Sequence, residues 1–407
     1  MTKFLLPVIM VAFLLSCGPA VDEKLQLGHW HAQMEVMDGK TLPLDMKVSQ
    51  VDSGAYHIEF HNSDERFEVD ELEFNGDTIT IRMPVFEGYI QGVFDNHSIK
   101  GHFIKESLDR HVHFQADFGK IPRFRVSELP AVNVSGVWEM AFSENTEEAY
   151  VAQGVFAQKD EIVTGTIRTP TGDYRYLEGV VEGDSLKLST FDGAHVFLFL
   201  GKIKKGRLDG TFYSGNHFKE PFTAKRNDAF ELPDEESLTY LKEGYERLEF
   251  SFPDTNGKMV SLTDPYFTNK VTIVQLMGTW CPNCLDESTF LANYVKEHPE
   301  QDIKVVALAF EYAKTEEKAF KGIQRLRERL NIDYPILLAQ FGTEDKKMAH
   351  EKLPMLNHVI SYPTTIFIDK IGDVRKIQTG FNGPATGAKY EAYTENFGRY
   401  VSSLLAE

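Results

Sequence analysis

The chain contains very little cysteine, with three residues in 407, at positions 17, 281 and 284. If the closely spaced pair Cys281 and Cys284 is a redox pair, only one cysteine remains, and no structural disulfide can form within the chain. Basic residues are also in deficit, with 43 Lys and Arg against 61 Asp and Glu and a formal net charge of −18. Nucleic acid and anionic lipid headgroups are bound by basic surfaces, so this balance argues against both as charge-driven partners.

Long apolar runs are absent as well, and beyond the N-terminus no stretch is apolar enough to span a membrane. At the N-terminus, Lys3 precedes the short apolar run Phe4–Leu15, which is typical of a secretory signal rather than a transmembrane helix. The following Leu14-Leu15-Ser16-Cys17 resembles the bacterial lipobox. The resemblance implies that a signal peptide of residues 1–16 is removed and that Cys17 is lipidated. We therefore expect a protein of the bacterial cell envelope, lipid-anchored to the membrane and facing the periplasm or exterior. A chance cysteine in an ordinary signal peptide is the alternative.

A length of 407 residues and a hydrophobic content of 42 % indicate a folded chain of about two to four domains. Between residues 25 and 226, short alternating segments separated by Gly-Asp and Asn-Gly turns predict β-strands. Four short matches recur in register at an offset of 107 to 109 residues. They pair Gly28 with Gly136, Gly76 with Gly183, Gly101 with Gly210, and Phe114 with Phe222. The repeat predicts two tandem antiparallel β-domains, residues 25–120 and 132–228, each a barrel or sandwich of seven or eight strands.

The role of these β-domains is left open by the sequence. Each opens on Gly-x-Trp, which resembles lipocalin-like barrels, but a spacer or partner-docking role is favoured over ligand binding. His29 and His31 would share one face of a strand, as would His111 and His113, and such pairs can ligate a metal. Neither pair recurs in the second repeat, so we expect no metal.

The Cys281-Pro282-Asn283-Cys284 motif follows the apolar run Val271–Met277, which predicts a buried strand. A segment with helical spacing begins at once after it, which places Cys281 at a helix N-terminus. Unpaired N–H groups and the helix dipole stabilise a thiolate there. Cys284 is near enough to close a disulfide with Cys281, and such a pair can carry out dithiol–disulfide exchange. Half of a zinc site is the alternative, but no second ligand pair lies at suitable spacing.

Two separated motifs resemble the thioredoxin superfamily. They are Trp280 followed by the cysteine motif, and Tyr362-Pro363-Thr364-Thr365 before a later strand. The lead-in Phe250–Lys258 and Glu287, three residues after Cys284, are similar to the envelope-anchored TlpA/ResA type. The resemblance covers residues 249–407 and implies a thioredoxin-like α/β domain without a metal or nucleotide cofactor. An acidic linker, residues 229–248, with a possible short helix at Ser237–Arg247, joins it to the β-domains.

The resemblance also implies roles for individual residues. Cys281 attacks the substrate disulfide and Cys284 resolves the mixed disulfide. Trp280 shields the pair, and Tyr362 and Pro363, whose peptide bond is cis in the family, hold the substrate. Glu287 lies one helical turn beyond Cys284 and is a candidate proton acceptor; a surface glutamate is the alternative. Gln275 occupies the position six residues before the first cysteine where thioredoxin carries an acid, and this departure favours Glu287.

The most consistent function is that of a protein disulfide oxidoreductase, which acts as a reductase if it follows most of the family. Its partners would be protein or peptide disulfides and a membrane-embedded electron donor, because outer compartments are oxidising. A lipid-anchored binding or assembly protein, whose β-domains dock a partner or ligand, is the alternative. Peroxidase activity is disfavoured because Thr279 stands two residues before Cys281, whereas peroxiredoxins place a threonine three residues before the reactive cysteine.

Overall fold

The computed structural model describes residues 24–407, so Cys17 and the predicted signal peptide lie outside the described residues. Nine antiparallel strands form the first sheet. They are β1 (Gly28–Val36), β2 (Lys40–Gln50), β3 (Tyr56–Asn62), β4 (Glu65–Val69), β5 (Glu71–Asn75), β6 (Thr78–Arg82), β7 (Tyr89–Phe94), β8 (Ser98–Lys105) and β9 (Arg110–Phe118). Their order is β4-β3-β2-β1-β9-β8-β7-β6-β5. Only Asp70 separates β4 from β5, so the two edges of the sheet meet in one interrupted strand, and the sheet is barrel-like.

The second sheet also has nine strands, and it closes on itself. They are β10 (Gly136–Phe142), β11 (Tyr150–Lys159), β12 (Ile162–Thr169), β13 (Gly172–Asp173), β14 (Leu177–Glu182), β15 (Ser185–Phe191), β16 (Val196–Lys204), β17 (Arg207–Ser214) and β18 (Phe218–Arg226). Pairing of β11 with β12 completes a ring of eight strands, from which the two-residue β13 projects as a short hairpin. Closure leaves the ring of eight strands without a free edge that could pair with another chain.

The same contacts recur in the two barrels at an offset of 108 residues. Met34 of β1 is paired with Phe114 of β9, and Phe142 of β10 is paired with Phe222 of β18. In both barrels a buried tryptophan donates its indole N–H to the carbonyl four residues earlier. Trp30 bonds to Gln26 at 2.9 Å and Trp138 to Val134 at 2.8 Å. The predicted fold class of two antiparallel β-domains before an α/β domain is confirmed.

The C-terminal domain begins with the hairpin β19 (Ser251–Pro253) and β20 (Met259–Ser261), followed by a five-stranded sheet with helices. Its elements are β21 (Val271–Met277), α1 (Pro282–Glu297), β22 (Ile303–Phe310), α2 (Glu316–Leu330), β23 (Ile336–Gln340), α3 (Lys346–Lys352), β24 (Thr364–Ile368), β25 (Val374–Thr379) and α4 (Ala388–Ala406). The sheet order is β23-β22-β21-β24-β25. Strands β21, β22 and β23 are parallel to one another, β24 is antiparallel to its neighbour β21, and β25 is antiparallel to β24. Every residue of the central strand β21 is buried, as its continuous apolar run predicts.

The linker is anchored to the C-terminal domain along its length. No helix forms between Ser237 and Arg247, so the short helix considered there is wrong. Leu241 instead makes a β-bridge with Leu356, and the Thr379 hydroxyl donates to the Thr239 hydroxyl at 2.9 Å. Backbone groups that a helix would satisfy internally are thus satisfied by the domain that the linker contacts.

The domains pack closely on one another. Buried apolar side chains of the first barrel and of the C-terminal domain form one continuous cluster, whereas the interior of the second barrel forms its own. Within residues 24–407, no helix has both the length and the apolar character needed to cross a membrane.

Candidate functional site

Cys281 lies where β21 passes into α1, at the N-cap of the helix. Its sulfur accepts a hydrogen bond of 3.1 Å from the Cys284 N–H, one of the N–H groups left free by the first helical turn. The two cysteines form a disulfide. Cys281 is 6 % exposed and Cys284 is fully buried. The outer sulfur of the pair is therefore Cys281 Sγ, and it lies in the field of the helix N-terminus.

Tyr362 and Pro363 lie directly against the disulfide, joined by a cis peptide bond. The carbonyl oxygen of Tyr362 is 3.5 Å from Cys281 Sγ. Trp280 fixes its ring by donating its indole N–H to the Phe310 carbonyl at 2.9 Å, and it packs edge-on against the ring of Tyr362. The structure thus brings the sequence-predicted residues of both motifs together around one sulfur atom.

Glu287 is buried beneath the pair, on the face of α1 that contacts the sheet. It accepts hydrogen bonds from Gln275 at 2.8 Å, from Thr365 at 2.5 Å and from Tyr393 at 3.4 Å. Burial raises the pKa of this carboxyl to about 7, and the three hydrogen bonds only partly offset that rise. The alternative of a surface glutamate is therefore wrong.

Gln275 and Glu287 together explain the departure from thioredoxin. The Gln275 amide donates to Glu287, while its own oxygen accepts from Ser288 at 3.0 Å. The carboxyl of Glu287, on α1, therefore contacts Gln275, which occupies the strand position where thioredoxin has its acid. One buried acid is present in either arrangement, and it comes here from the helix instead of the strand.

A second buried acid, Glu311, was not found from the sequence. It follows β22 directly and accepts hydrogen bonds from the Thr279 N–H at 2.8 Å and the Thr279 hydroxyl at 2.7 Å. Burial raises the pKa of its carboxyl to about 7. Because Thr279 precedes Trp280 and Cys281, Glu311 holds the loop that carries the redox motif. The only available signal was an acid directly after an apolar strand, which is too common to single out.

The β13 hairpin of the second barrel covers one side of the motif. The Thr171 carbonyl accepts a bond of 2.9 Å from the hydroxyl of Ser361, the residue before Tyr362. The Asp173 carbonyl accepts a bond of 3.1 Å from the side chain of Asn283, between the two cysteines. Asn283 is therefore held by another domain, a role that its position in the motif does not reveal.

Arg175, two residues beyond β13, links all three domains. Its guanidinium pairs with Glu65 of the first barrel and with Asp286 of α1, both at 2.5 Å, and it donates to the Pro282 carbonyl at 3.1 Å. Burial raises the pKa of Asp286 to about 6, an effect that the neighbouring guanidinium opposes. Removal of one partner from such a buried pair leaves an uncompensated charge, so these contacts resist separation of the domains.

Comparison with known proteins agrees with this geometry. Residues 242–393 match the Redoxin family. The thiol-disulfide oxidoreductase ResA of Bacillus subtilis is 27 % identical over 141 residues, which cover 34 % of this chain and 69 % of ResA. The thioredoxin-like protein YneN of the same organism is 29 % identical over 140 residues, which cover 34 % of this chain and 73 % of YneN.

Solved structures also align with part of this chain. A thiol:disulfide interchange protein of the thioredoxin family from Chlorobium tepidum is 19 % identical with a TM-score of 0.30, covering 40 % of this chain and 98 % of its own. A thiol-disulfide isomerase from Corynebacterium glutamicum is 17 % identical with a TM-score of 0.31, covering 41 % of this chain and 99 % of its own.

The C-terminal domain therefore matches the Redoxin family and is similar to thioredoxin-like oxidoreductases of the TlpA/ResA type. The chain that carries it is a thioredoxin-like disulfide oxidoreductase with two β-barrels placed before the redox domain.

Proposed function

We propose that this protein reduces disulfide bonds in proteins or peptides of the cell envelope, using Cys281 as the nucleophile and Cys284 as the resolving thiol. The observation that carries the proposal is the position of Cys281 Sγ. It lies at the N-cap of α1, joined to Cys284 and 3.5 Å from the Tyr362 carbonyl. A thiolate at this place is stabilised by the helix, and in the mixed disulfide the neighbouring thiol can attack the Cys281 sulfur and release the substrate thiol.

The reaction balances in two steps. In the dithiol form, the Cys281 thiolate attacks one sulfur of the substrate disulfide, and the other sulfur leaves and takes up a proton. Cys284 then loses its proton and attacks Cys281 Sγ, which releases the second substrate thiol. The substrate gains two electrons and two protons, and the protein is left with the Cys281–Cys284 disulfide.

Glu287 is proposed as the group that takes the proton from Cys284. It lies one helical turn from Cys284 and is buried with it on the inner face of α1. A carboxyl with a pKa of about 7 exchanges protons readily near neutral pH, which an ordinary surface glutamate does not. Trp280, Tyr362 and Pro363 are proposed to hold the substrate segment beside Cys281.

A membrane-embedded donor is proposed to return two electrons to the Cys281–Cys284 disulfide after each turnover. The dithiol form must be regenerated for a second substrate, and compartments outside the cytoplasm are oxidising. In the absence of a donor, we expect one disulfide to be reduced per molecule of reduced protein.

The experiment that tests the proposed function is trapping with the Cys284→Ser variant. We expect the reduced variant to accumulate a mixed disulfide between Cys281 and a disulfide substrate such as oxidised insulin, because the resolving thiol is missing. Mass spectrometry of the adduct, with and without reductant, identifies the bonded residues. If no adduct forms with any disulfide tested while the fold is intact, the binding or assembly function is favoured.

We propose that Cys17, which lies outside the described residues, carries the lipid that anchors the protein to the membrane. The support is the Leu14-Leu15-Ser16-Cys17 sequence after a short apolar run. We expect Cys17→Ser to abolish labelling by a fatty-acid analogue and to move the protein from the membrane to the soluble fraction. Membrane association that persists in the variant would rule out this anchor.

A further inference from the structure

A small cavity lies where the three domains meet, on the side of Trp280. Its volume is about 80 Å³. Trp280 and Tyr312 line it from the redox domain, Lys105 and Arg110 from the first barrel, and His217 from the second. The cavity therefore shares a side chain with the redox motif and exists only because the barrels are docked.

Lys105 is a buried side chain that lines this cavity. Its side chain is 7 % exposed, and its ammonium donates to the Ala194 carbonyl at 3.1 Å and lies 5.9 Å from the centre of the Tyr312 ring. Among residues 24–407, Lys105 forms no ion pair with a carboxylate. Burial, followed by the repulsion of Arg110, lowers the pKa of its ammonium to about 8. Buried charges are normally paired, so an unpaired one that lines a cavity needs a counter-charge.

Arg110 adds a second cation to the same wall. It is paired directly with Lys105 across β8 and β9, and like charges at directly opposite positions are unfavourable. Within the described part of the chain, Arg110 also lacks an ion pair. His217 responds to both cations: burial, with their repulsion, lowers its pKa to about 4.

Three nearby acids, Asp192, Glu87 and Glu344, favour the charged form of Lys105, but none of them forms an ion pair with it. Asp192 is hydrogen-bonded to the backbone and ring of His195, which also lines the cavity. Glu344 lines the cavity too, but its side chain is exposed. Two adjacent cations at one wall stand out in a chain whose formal net charge is −18.

We propose that this cavity is a subsite for a carboxylate carried by the disulfide substrate. A volume of about 80 Å³ accommodates a carboxylate group, and the ammonium and guanidinium supply charge-assisted hydrogen bonds to it. Trp280 lines the subsite and directly precedes Cys281 in the chain, so a carboxylate bound there would position the substrate near the attacking sulfur. This inference rests on the proposed reductase function and adds to it the class of substrate.

The test compares matched disulfides that differ only in charge. Dithiodipropionate and dithiodibutyrate carry two carboxylates at two distances from the sulfurs, and their diamides are neutral analogues of equal length. At fixed ionic strength, we expect kcat/KM of the wild-type protein for at least one dicarboxylate to exceed that for its diamide about tenfold or more. A hydrogen bond to a charged group has this order of effect, and it acts against the repulsion of the negative chain.

Lys105→Gln is expected to erase this preference while leaving reduction of the diamides unchanged, so the neutral substrates report on folding and on the redox pair. Lys100→Gln is the matched control, because Lys100 is exposed on the same strand and its loss changes the net charge equally. Equal rates for acid and amide at both lengths in the wild-type protein, or a preference that survives Lys105→Gln, would overturn the subsite alone. Failure of the wild-type protein to reduce any of the four disulfides would overturn the reductase function and the subsite with it.

Discussion

Replacement of Cys281 by serine is expected to abolish disulfide reduction, with the rate falling by at least about 10³-fold, to the background of the assay. The hydroxyl of serine is not ionised near neutral pH, and no other thiol of the redox domain has a sulfur at the helix N-cap. Replacement of Cys284 leaves that nucleophile in place, so the first attack survives and only resolution is lost. Turnover of insulin, followed under an excess of reductant, separates the two variants from the wild-type protein.

Alkylation of the reduced protein is an independent test of the different roles of Cys281 and Cys284. Cys281 retains 6 % exposure, whereas Cys284 is fully buried and lies inside the first turn of α1. At neutral pH, iodoacetamide is therefore expected to modify Cys281 first. If peptide mapping finds Cys284 modified first, or if Cys281→Ser still turns over insulin, the assignment of nucleophile and resolving thiol is reversed.

The redox domain could be predicted from the sequence because its signals are local. A fully apolar run marks β21, a cysteine pair follows it at helical spacing, and a proline marks the entry to β24. The two barrels were detectable through their internal repeat, because glycines and tryptophans at equivalent positions recur after 108 residues. Trp30 and Trp138 make the same hydrogen bond to the carbonyl four residues earlier.

The arrangement of the domains around the site could not be predicted in this way. Arg175 meets Glu65 across 110 residues and Asp286 across 111, and no periodicity links positions so far apart. Lys105 and Arg110 look like ordinary charged residues beside a turn, and nothing local shows that Lys105 is buried or that both line a cavity with Trp280. The helix predicted in the linker does not form for the same reason, because contacts of the linker with the redox domain outweigh the weak helix propensity of this segment.

Glu287→Gln tests whether the buried carboxyl of Glu287 takes the proton of Cys284. The change keeps the size of the side chain and removes the proton acceptor. The Thr365 and Tyr393 hydroxyls that now donate to Glu287 can accept from the new amide, so we expect the fold to be retained. Resolution by Cys284 is expected to slow about 100-fold near pH 7, the usual scale for loss of a general base.

The pH dependence of the rate at which Cys284 resolves the mixed disulfide distinguishes proton transfer by Glu287 from a purely structural role. In Glu287→Gln the mixed disulfide should persist at neutral pH, and the defect should shrink as the pH approaches about 8.5, where a thiol ionises without help. Glu297→Gln is the matched control, because Glu297 is exposed on the same helix. A defect of equal size at every pH would assign Glu287 a structural role only.

The pH dependence of the free energy of unfolding is a second test of the raised pKa of Glu287. The folded-state pKa of Glu287 is about 7, against an ordinary value of 4.5 in the unfolded chain. As the pH rises between these values the unfolded state loses its proton first, so the free energy of unfolding of the wild-type protein falls until about pH 7. Each unit of pKa difference corresponds to about 1.4 kcal/mol, which makes the total loss about 3 kcal/mol. Glu287→Gln lacks this loss, so denaturant titrations should find the variant gaining stability relative to the wild-type protein from pH 5 to pH 8. A difference that stays constant over that range would mean that Glu287 is already ionised at pH 5 and cannot hold the proton of Cys284.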